Sequence, residues 1–298
     1  MTRLRLRTHA KLNLFLRVVG RRGDGYHEIE SIFHGIDLAD DIEINETAEH
    51  SVAVEMHYAA DTMGEGPPLE ENLIYKAAQS LIEHGGGAGR GVKIDVIKRI
   101  PIGGGLGGGS GNAAGTLLAM SKLWGMQLER ERLLELAGAI GSDVTYCIDG
   151  GTVLATARGE QLTQMPAPRE MWFVLGISKD PLLTRDVYSA WDELGHEEEV
   201  TSSMMAPALG AGDVNEVASL LRNDLERPAF MLRPELSGKK EAMLAAGALG
   251  AGMTGSGPTM FGILEGAGSA RKVATKVRPE FDRVVVARSV PRCVEFLT

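Results

Sequence analysis

The run PIGGGLGGGSGN, residues 101–112, places six glycines between Gly103 and Gly109, directly ahead of a helical pattern from Ala113 to Trp124. Glycine inside a helix or strand costs about 1 kcal/mol relative to alanine, so packing alone does not account for so many. Their physical use is close approach: bare backbone N–H groups wrap an anion, and the following helix points its positive end at it. Val92, Ile94 and Val96 alternate as a strand that Pro101 ends, so the unit reads strand, glycine loop, helix. A phosphate site follows, with Pro101, Gly103, Gly104, Gly105, Leu106, Gly107, Gly108, Gly109, Ser110 and Asn112 as its candidate residues. A flexible linker is the alternative, but linkers rarely interrupt a regular strand and a well-formed helix.

No Lys-Ser or Lys-Thr pair follows the glycines, which excludes the Walker loop, and the downstream motifs of protein kinases are absent. Gly103, Gly105 and Gly108 do satisfy GxGxxG, so a dinucleotide-dependent oxidoreductase stays open as a second reading. Such an enzyme needs an acidic residue at a strand end about twenty residues on, whereas Glu129 falls at a helix start.

Upstream, alternation at Leu4, Leu6 and Thr8, at Leu12, Leu14 and Leu16, at Ile42 and Ile44, and at Val52, Val54 and Met56 predicts a half-buried sheet. Asn72 opens an amphipathic helix that the glycines at 85–87 stop. A helix over 129–140 follows, and then GSDVTYCIDGGTVLAT reads as a turn leading into a strand pair. Beyond residue 158 the pattern becomes a strand at 172–177, helices after Thr184, Asp213 and Pro234, two strands around 252–264, a helix and a last strand at 284–286. Alternating helices and strands with hairpin pairs predict an α+β fold of the split βαβ type, divided into 1–157 and 158–298. The stretch 195–212 reads as a mobile loop.

The 298 residues carry a net charge of −9, which argues against nucleic acid or an anionic membrane as partner, since both need a basic field. Two distant cysteines, Cys147 and Cys293, fit a reducing compartment and no zinc site, and both read as core or near-surface thiols. The N-terminal segment lacks the apolar core of a signal peptide, and no run approaches the twenty apolar residues of a membrane span. The expectation is a cytoplasmic enzyme acting as monomer or homodimer. His9, His34, His50, His57, His84 and His196 match no metal-ligand spacing and read as structural or surface residues.

The glycine loop, together with Ala10-Lys11-Leu12-Asn13-Leu14 near the start and Thr254-Gly255-Ser256-Gly257-Pro258-Thr259 near the end, resembles the three motifs of the GHMP small-molecule kinases. The motifs occur in family order across nearly the full chain. The run GRRGDGYHEIESIF is similar to the branch of that family acting on a cytidine-diphosphate-linked methylerythritol in the non-mevalonate isoprenoid pathway. The resemblance implies a two-domain GHMP-kinase-like fold: an N-terminal nucleotide domain of mixed sheet and helices, a C-terminal ferredoxin-like domain, and the site in the cleft between them. It also implies ATP as donor, magnesium, and phosphorylation of the substrate's 2-hydroxyl.

For individual residues it implies Asp143 as the base, although from spacing alone an aspartate after Gly-Ser reads first as a turn or cap. Lys11, on an otherwise apolar strand, needs an anion if buried, and Asp143 is the candidate; a solvent-facing lysine fits the periodicity as well. Asn13 shares its strand face and is expected at the methylerythritol hydroxyls. Tyr26 and His27 are expected at the cytosine, with Tyr188 as the second ring and Thr184 nearby; lids on the core are the alternative. Ser110 is the candidate magnesium contact, and both it and Asn112 also read as helix N-caps. Gly255, Ser256 and Gly257 are expected at the substrate diphosphate or phosphates, with a hairpin turn as the alternative. A non-catalytic nucleotide sensor is a third reading, which the joint presence of Lys11, Asn13 and Asp143 opposes.

Overall fold

Two long strands open the chain: β1 (Arg3–Arg21) and β2 (His27–Thr47) form an antiparallel hairpin. Asp24 shapes its turn by accepting the Tyr26 N–H at 3.1 Å, a side chain standing in for backbone. The computed structural model describes residues 3–87, 89–166, 170–195 and 201–297. Next come β3 (Val52–Tyr58), α1 (Leu73–Glu83), β4 (Gly91–Lys98), α2 (Gly108–Leu123), α3 (Arg130–Ile140), α4 (Ser142–Asp149), β5 (Thr152–Thr156) and β6 (Gln161–Gln164). Then follow β7 (Trp172–Ile177), α5 (Thr184–Leu194), α6 (Met205–Ala211), α7 (Val214–Ser219), β8 (Arg222–Asn223), α8 (Glu226–Leu232) and α9 (Glu235–Ala246). The chain closes with β9 (Gly250–Met253), β10 (Met260–Leu264), α10 (Ala267–Val277), β11 (Arg283–Arg288) and β12 (Val294–Leu297).

The first sheet runs β12-β1-β2-β4-β3, with β5 beside β2, β6 beside β5, and β8 parallel to β1. The second runs β11-β7-β10-β9, antiparallel throughout, which is the order in which a split βαβ unit lays its four strands. This is the expected α+β architecture. The final strand β12 was not anticipated: it follows the expected last strand and returns to pair with β1.

The start of the chain is less exposed than alternation suggested. From Thr8 to Leu16 every residue of β1 is buried, because helices cover one face and the second sheet the other. Leu6 packs with Leu117 and Met120 of α2, while Leu12 and Leu14 share a cluster with Phe173, Leu175 and Phe261. On α1, the Asn72 side chain accepts the Ile74 N–H at 3.0 Å, a cap of about 1 kcal/mol, and Ile74, Ala77, Ala78 and Leu81 form the buried stripe.

Three further expectations change. Helix α2 starts at Gly108, five residues before the apolar pattern, because its first turns lie against β1 and β4 where a side chain does not fit: a methyl on Gly108 would come within 2.8 Å of Ile100. The segment after Gly141 is the helix α4 before it is a strand pair, since Val144, Tyr146 and Cys147 all bury from one short turn structure. The expected loop at 195–212 contains the helical residues 202–211, whose Met205, Ala208 and Leu209 reach the core; residues 196–200, His196 included, lie outside the described residues. Cys147 and Cys293 are both buried and free. The neighbouring Cys293 thiol and burial push the Cys147 thiol well above its usual range, which keeps it inert.

Candidate active site

Two clefts adjoin at one shared residue. One, of about 490 Å³, is lined by the glycine loop from Pro101 to Ser110, by Asn112 and Lys98, and by the apolar Met56, Pro67, Leu73 and Ile74. The other, of about 430 Å³, is lined by Tyr26, His27, Ser142, Arg158, Thr184 and Tyr188 among others. Thr184 borders both.

Lys11 packs against Gly107 of the first cleft. It is 4 % exposed, and its alkyl chain lies so close to Gly107 that a methyl there would come within 2.9 Å of Lys11 Cγ. Its ammonium donates to Asn13 Oδ1 at 2.8 Å, lies 3.4 Å from Asp143 Oδ2 and 4.8 Å from the centre of the Phe33 ring. The solvent-facing alternative is therefore excluded. Asp143 stands in the first turn of α4, where the helix's positive end favours a carboxylate, and its side chain is 36 % exposed. Thr145 supports that turn by donating its hydroxyl to the Ser142 carbonyl at 2.5 Å.

Asn13 is held more fully than its expected role suggests. Its Oδ1 accepts from Lys11 and from Thr254 Oγ1 at 3.1 Å, while Nδ2 donates to Ser31 at 2.9 Å. At 2 % exposure it orients Lys11 from beneath.

The glycine loop is built on its floor by a buried ion pair absent from the sequence reading. Lys98 Nζ lies 2.5 Å from Asp40 Oδ2, and Asp40 Oδ1 accepts the N–H groups of Arg99 and Ile100 at 2.7 and 2.9 Å. Removing one partner of so buried a pair costs about 3–5 kcal/mol. Only the position of Lys98 at the end of its strand hinted at it. Above this floor the Leu106 side chain is buried and its carbonyl accepts the Lys11 N–H at 2.9 Å, so Leu106 anchors the loop to β1. Gly107, at φ +70°, turns the chain into α2 and occupies the N-cap position. Neither Ser110 nor Asn112 is therefore the cap: Ser110 is the third helical residue and lines the cleft, whereas Asn112 Oδ1 accepts the Thr8 hydroxyl at 2.7 Å.

The third motif joins β9 to β10, so the hairpin alternative holds, and it also packs backbone to backbone on the glycine loop. Gly105 faces the Thr254 carbonyl so closely that a methyl would come within 2.3 Å of it. Ser256 Oγ lies 2.9 Å from Thr184 Oγ1, tying this turn to α5, and Asn223 Nδ2 donates to the Gly255 carbonyl at 2.8 Å. Part of the glycine content thus serves the contact between two loops.

In the second cleft His27 stacks directly on Tyr188, centroids 4.7 Å apart, and its Nε2 lies 2.8 Å from Asp192 Oδ1. Tyr26 is instead exposed, with the Arg158 guanidinium 5.2 Å from its ring centre. Burial, then the nearby Asp143 carboxylate, push the Tyr188 phenol upward, so it stays neutral. Arg21, Arg158 and Arg185 also line this cleft, paired with Asp192, Glu160 and Asp186, and they went unread in the sequence because the three are scattered along the chain. His57 lies 3.6 Å from Asp95 and 4.0 Å from Glu55 outside both clefts, and Lys93 already bridges those carboxylates. Among the described residues this is the one acidic and histidine group with metal-binding spacing.

Comparisons with known proteins concern the chain as a whole. Residues 72–151 match the GHMP kinases N terminal domain and residues 205–283 the GHMP kinases C terminal domain. The 4-diphosphocytidyl-2-C-methyl-D-erythritol kinase of Pelotomaculum thermopropionicum is 38% identical over 281 residues, 94% of this chain and 96% of that protein. The same-named kinase of Shouchella clausii is 37% identical over 285 residues, 96% and 94% of the two chains. A crystal structure of 4-(cytidine 5'-diphospho)-2C-methyl-D-erythritol kinase superposes with TM-score 0.78 at 33% identity, covering 95% of this chain and 98% of that one. Homoserine kinase from Cytophaga hutchinsonii shares the fold, at TM-score 0.76, 19% identity, and coverage of 100% and 98%.

Proposed function

The chain belongs to the GHMP kinases, within them to the 4-diphosphocytidyl-2-C-methyl-D-erythritol kinases, and from that membership and the joined clefts we infer that it phosphorylates the 2-hydroxyl of 4-diphosphocytidyl-2-C-methyl-D-erythritol with ATP. The reaction serves isoprenoid precursor synthesis. One observation carries the assignment: Lys11, packed against Gly107 of the glycine-lined cleft, lies 3.4 Å from Asp143, the residue that follows Ser142 of the aromatic, arginine-lined cleft.

On this reading adenine lies against Met56, Pro67, Leu73 and Ile74, and the triphosphate follows the loop to the amides of Gly107, Gly108, Gly109 and Ser110 at the start of α2. Cytosine inserts beside Tyr26 with His27 and Tyr188 as its wall, and the arginines lining this cleft hold the substrate diphosphate. Thr184 and the Gly255–Gly257 turn close the boundary between donor and acceptor. Residues 1–157 then supply most of the nucleotide cleft, with β6, β8 and β12 joining their sheet from later in the chain, and 158–298 supply Thr184, Tyr188 and the third motif.

Phosphoryl transfer asks mainly for positioning and charge compensation. The substrate oxygen bonds to the γ-phosphorus as the bond to the β,γ-bridging oxygen breaks, ADP leaves, and Asp143 accepts the hydroxyl proton. Lys11, fixed by Asn13, faces the charge developing on the transferred group. Magnesium takes oxygen ligands and reaches kinase sites on the triphosphate. The fit here is the Ser110 hydroxyl lining the cleft, with no carboxylate cage beside it among the described residues. When bound, the ion neutralises triphosphate charge. Two free thiols suit the reducing cytoplasm as the compartment.

Among the described residues no helix is long and apolar enough to cross a membrane. The purified chain is tested by ADP release in the presence of ATP, magnesium and the cytidine substrate. Substrate-dependent release with formation of a phosphomonoester is expected; release no greater than with homoserine or mevalonate refutes the assignment.

A further inference from the structure

Thr259 is fully buried, and its hydroxyl finds no hydrogen-bond partner among the described residues. Such a group is costly to leave unsatisfied and calls for a reason. Its backbone cannot drift to find one, because its carbonyl accepts the Thr254 N–H at 3.1 Å within the third motif. The hydroxyl faces Gly104, where an added methyl would lie 2.9 Å from Thr259 Oγ1. Gly104 lines the glycine cleft and Thr259 does not, so the hydroxyl stands behind the loop with one residue between it and the cleft.

In a trans peptide the carbonyl of one residue and the N–H of the next point in opposite directions. Turning the Gly105 N–H into the cleft, toward a phosphate, therefore swings the Gly104 carbonyl back toward Thr259. Gly104 carries no side chain to oppose rotation of that plane, while the Gly105 carbonyl, accepting the Thr254 hydroxyl at 3.2 Å, holds the loop in place beyond it. We propose that Thr259 is a positioning residue for the phosphate loop: its hydroxyl donates to the Gly104 carbonyl when nucleotide binds, and the hydroxyl unsatisfied in the free enzyme is satisfied in the complex. The inference rests on the nucleotide reading of the cleft.

Thr259→Val keeps the shape and removes the hydroxyl; Thr259→Ser keeps the hydroxyl. Two opposite effects are expected of the valine variant. Its nucleotide-free unfolding midpoint rises, because an unsatisfied polar group is gone. Its KM for ATP, and its Kd for ATP by calorimetry, rise about three- to tenfold, with kcat falling by a smaller factor. The serine variant stays within about twofold of the wild-type ATP constants, the scatter that a weak hydrogen bond leaves. A valine variant that binds ATP as tightly as wild type, or a serine variant impaired as much as valine, overturns the proposal. So does a lowered nucleotide-free midpoint for valine, since the hydroxyl is then already bonded. Wild-type chain that binds no ATP at all instead removes the nucleotide reading, and Thr259's role with it.

Discussion

Lys11 and Asp143 are 132 positions apart and 3.4 Å apart in space, one buried on β1 and the other half-exposed on α4. The ammonium is held from below by Asn13, and Asp143 directly follows Ser142, which lines the second cleft. A general base of this kind contributes about 10²- to 10⁴-fold to rate. Asp143→Asn is accordingly expected to lower kcat by that factor and to leave the Kd for ATP within about threefold, the scatter of a residue outside the phosphate cradle. Single-turnover kinetics and calorimetry read the two; near-normal turnover removes Asp143 from its role. A lone lysine on an apolar strand asks for a counter-charge in the sequence, but spacing alone reads Asp143 as a turn or cap, and only the family resemblance points to it as the partner. The Asp40–Lys98 pair and the orphan hydroxyl of Thr259 were not legible there, since their meaning depends on burial and on neighbours far along the chain.

At the scale of elements, α2 combines two kinds of glycine. Gly115 sits where a methyl would come within 2.6 Å of Thr8 Cγ2 and 2.8 Å of Leu6 Cδ1, so it sets how near the helix lies to β1. A methyl on Gly109 would meet only Leu73, at 3.7 Å. Gly115→Ala is therefore expected to lose about 1–3 kcal/mol in urea denaturation despite alanine's better helix propensity. Gly109→Ala is expected to keep or gain up to about 1 kcal/mol while raising the KM for ATP, because the methyl enters the phosphate cradle. Equal stability losses for the two would show that both serve packing alone. The sequence revealed this helix and its loop but not where one becomes the other: propensity disfavours a glycine start, and tertiary contact with β1 and β4 overrides it. Helix α4 escaped for a related reason, its eight residues being too few to show a helical period.

Across the whole molecule, His34 joins the two sheets. It sits on β2, its Nδ1 lies 2.9 Å from Thr152 Oγ1 on β5, and its Nε2 lies 2.8 Å from Ser289 Oγ, beside the second sheet. Burial pushes its pKa from 6.5 down to about 4. The unfolded chain thus takes up the proton first. His34's contribution is fully present above pH 6.5 and drains away as pH falls toward about 4, reaching roughly 3 kcal/mol. His9, also lowered by burial, adds in the same direction. Urea midpoints between pH 7 and 4.5 are expected to fall, and His34→Gln to flatten that fall; an unchanged slope in the variant rules His34 out as its source. The α+β class and the split βαβ order follow from local patterns along the chain. The return of β12 to β1 does not, because a four-residue edge strand carries little periodicity and its partner lies at the other end of the sequence.

The joined clefts are tested most directly by a crystal structure of the chain with a non-hydrolysable ATP analogue and the cytidine substrate. The expected result seats the β- and γ-phosphates on the amides of Gly107 to Ser110, with a substrate hydroxyl between the γ-phosphorus and Asp143. A triphosphate lodged elsewhere, with those amides turned to solvent, contradicts the assignment.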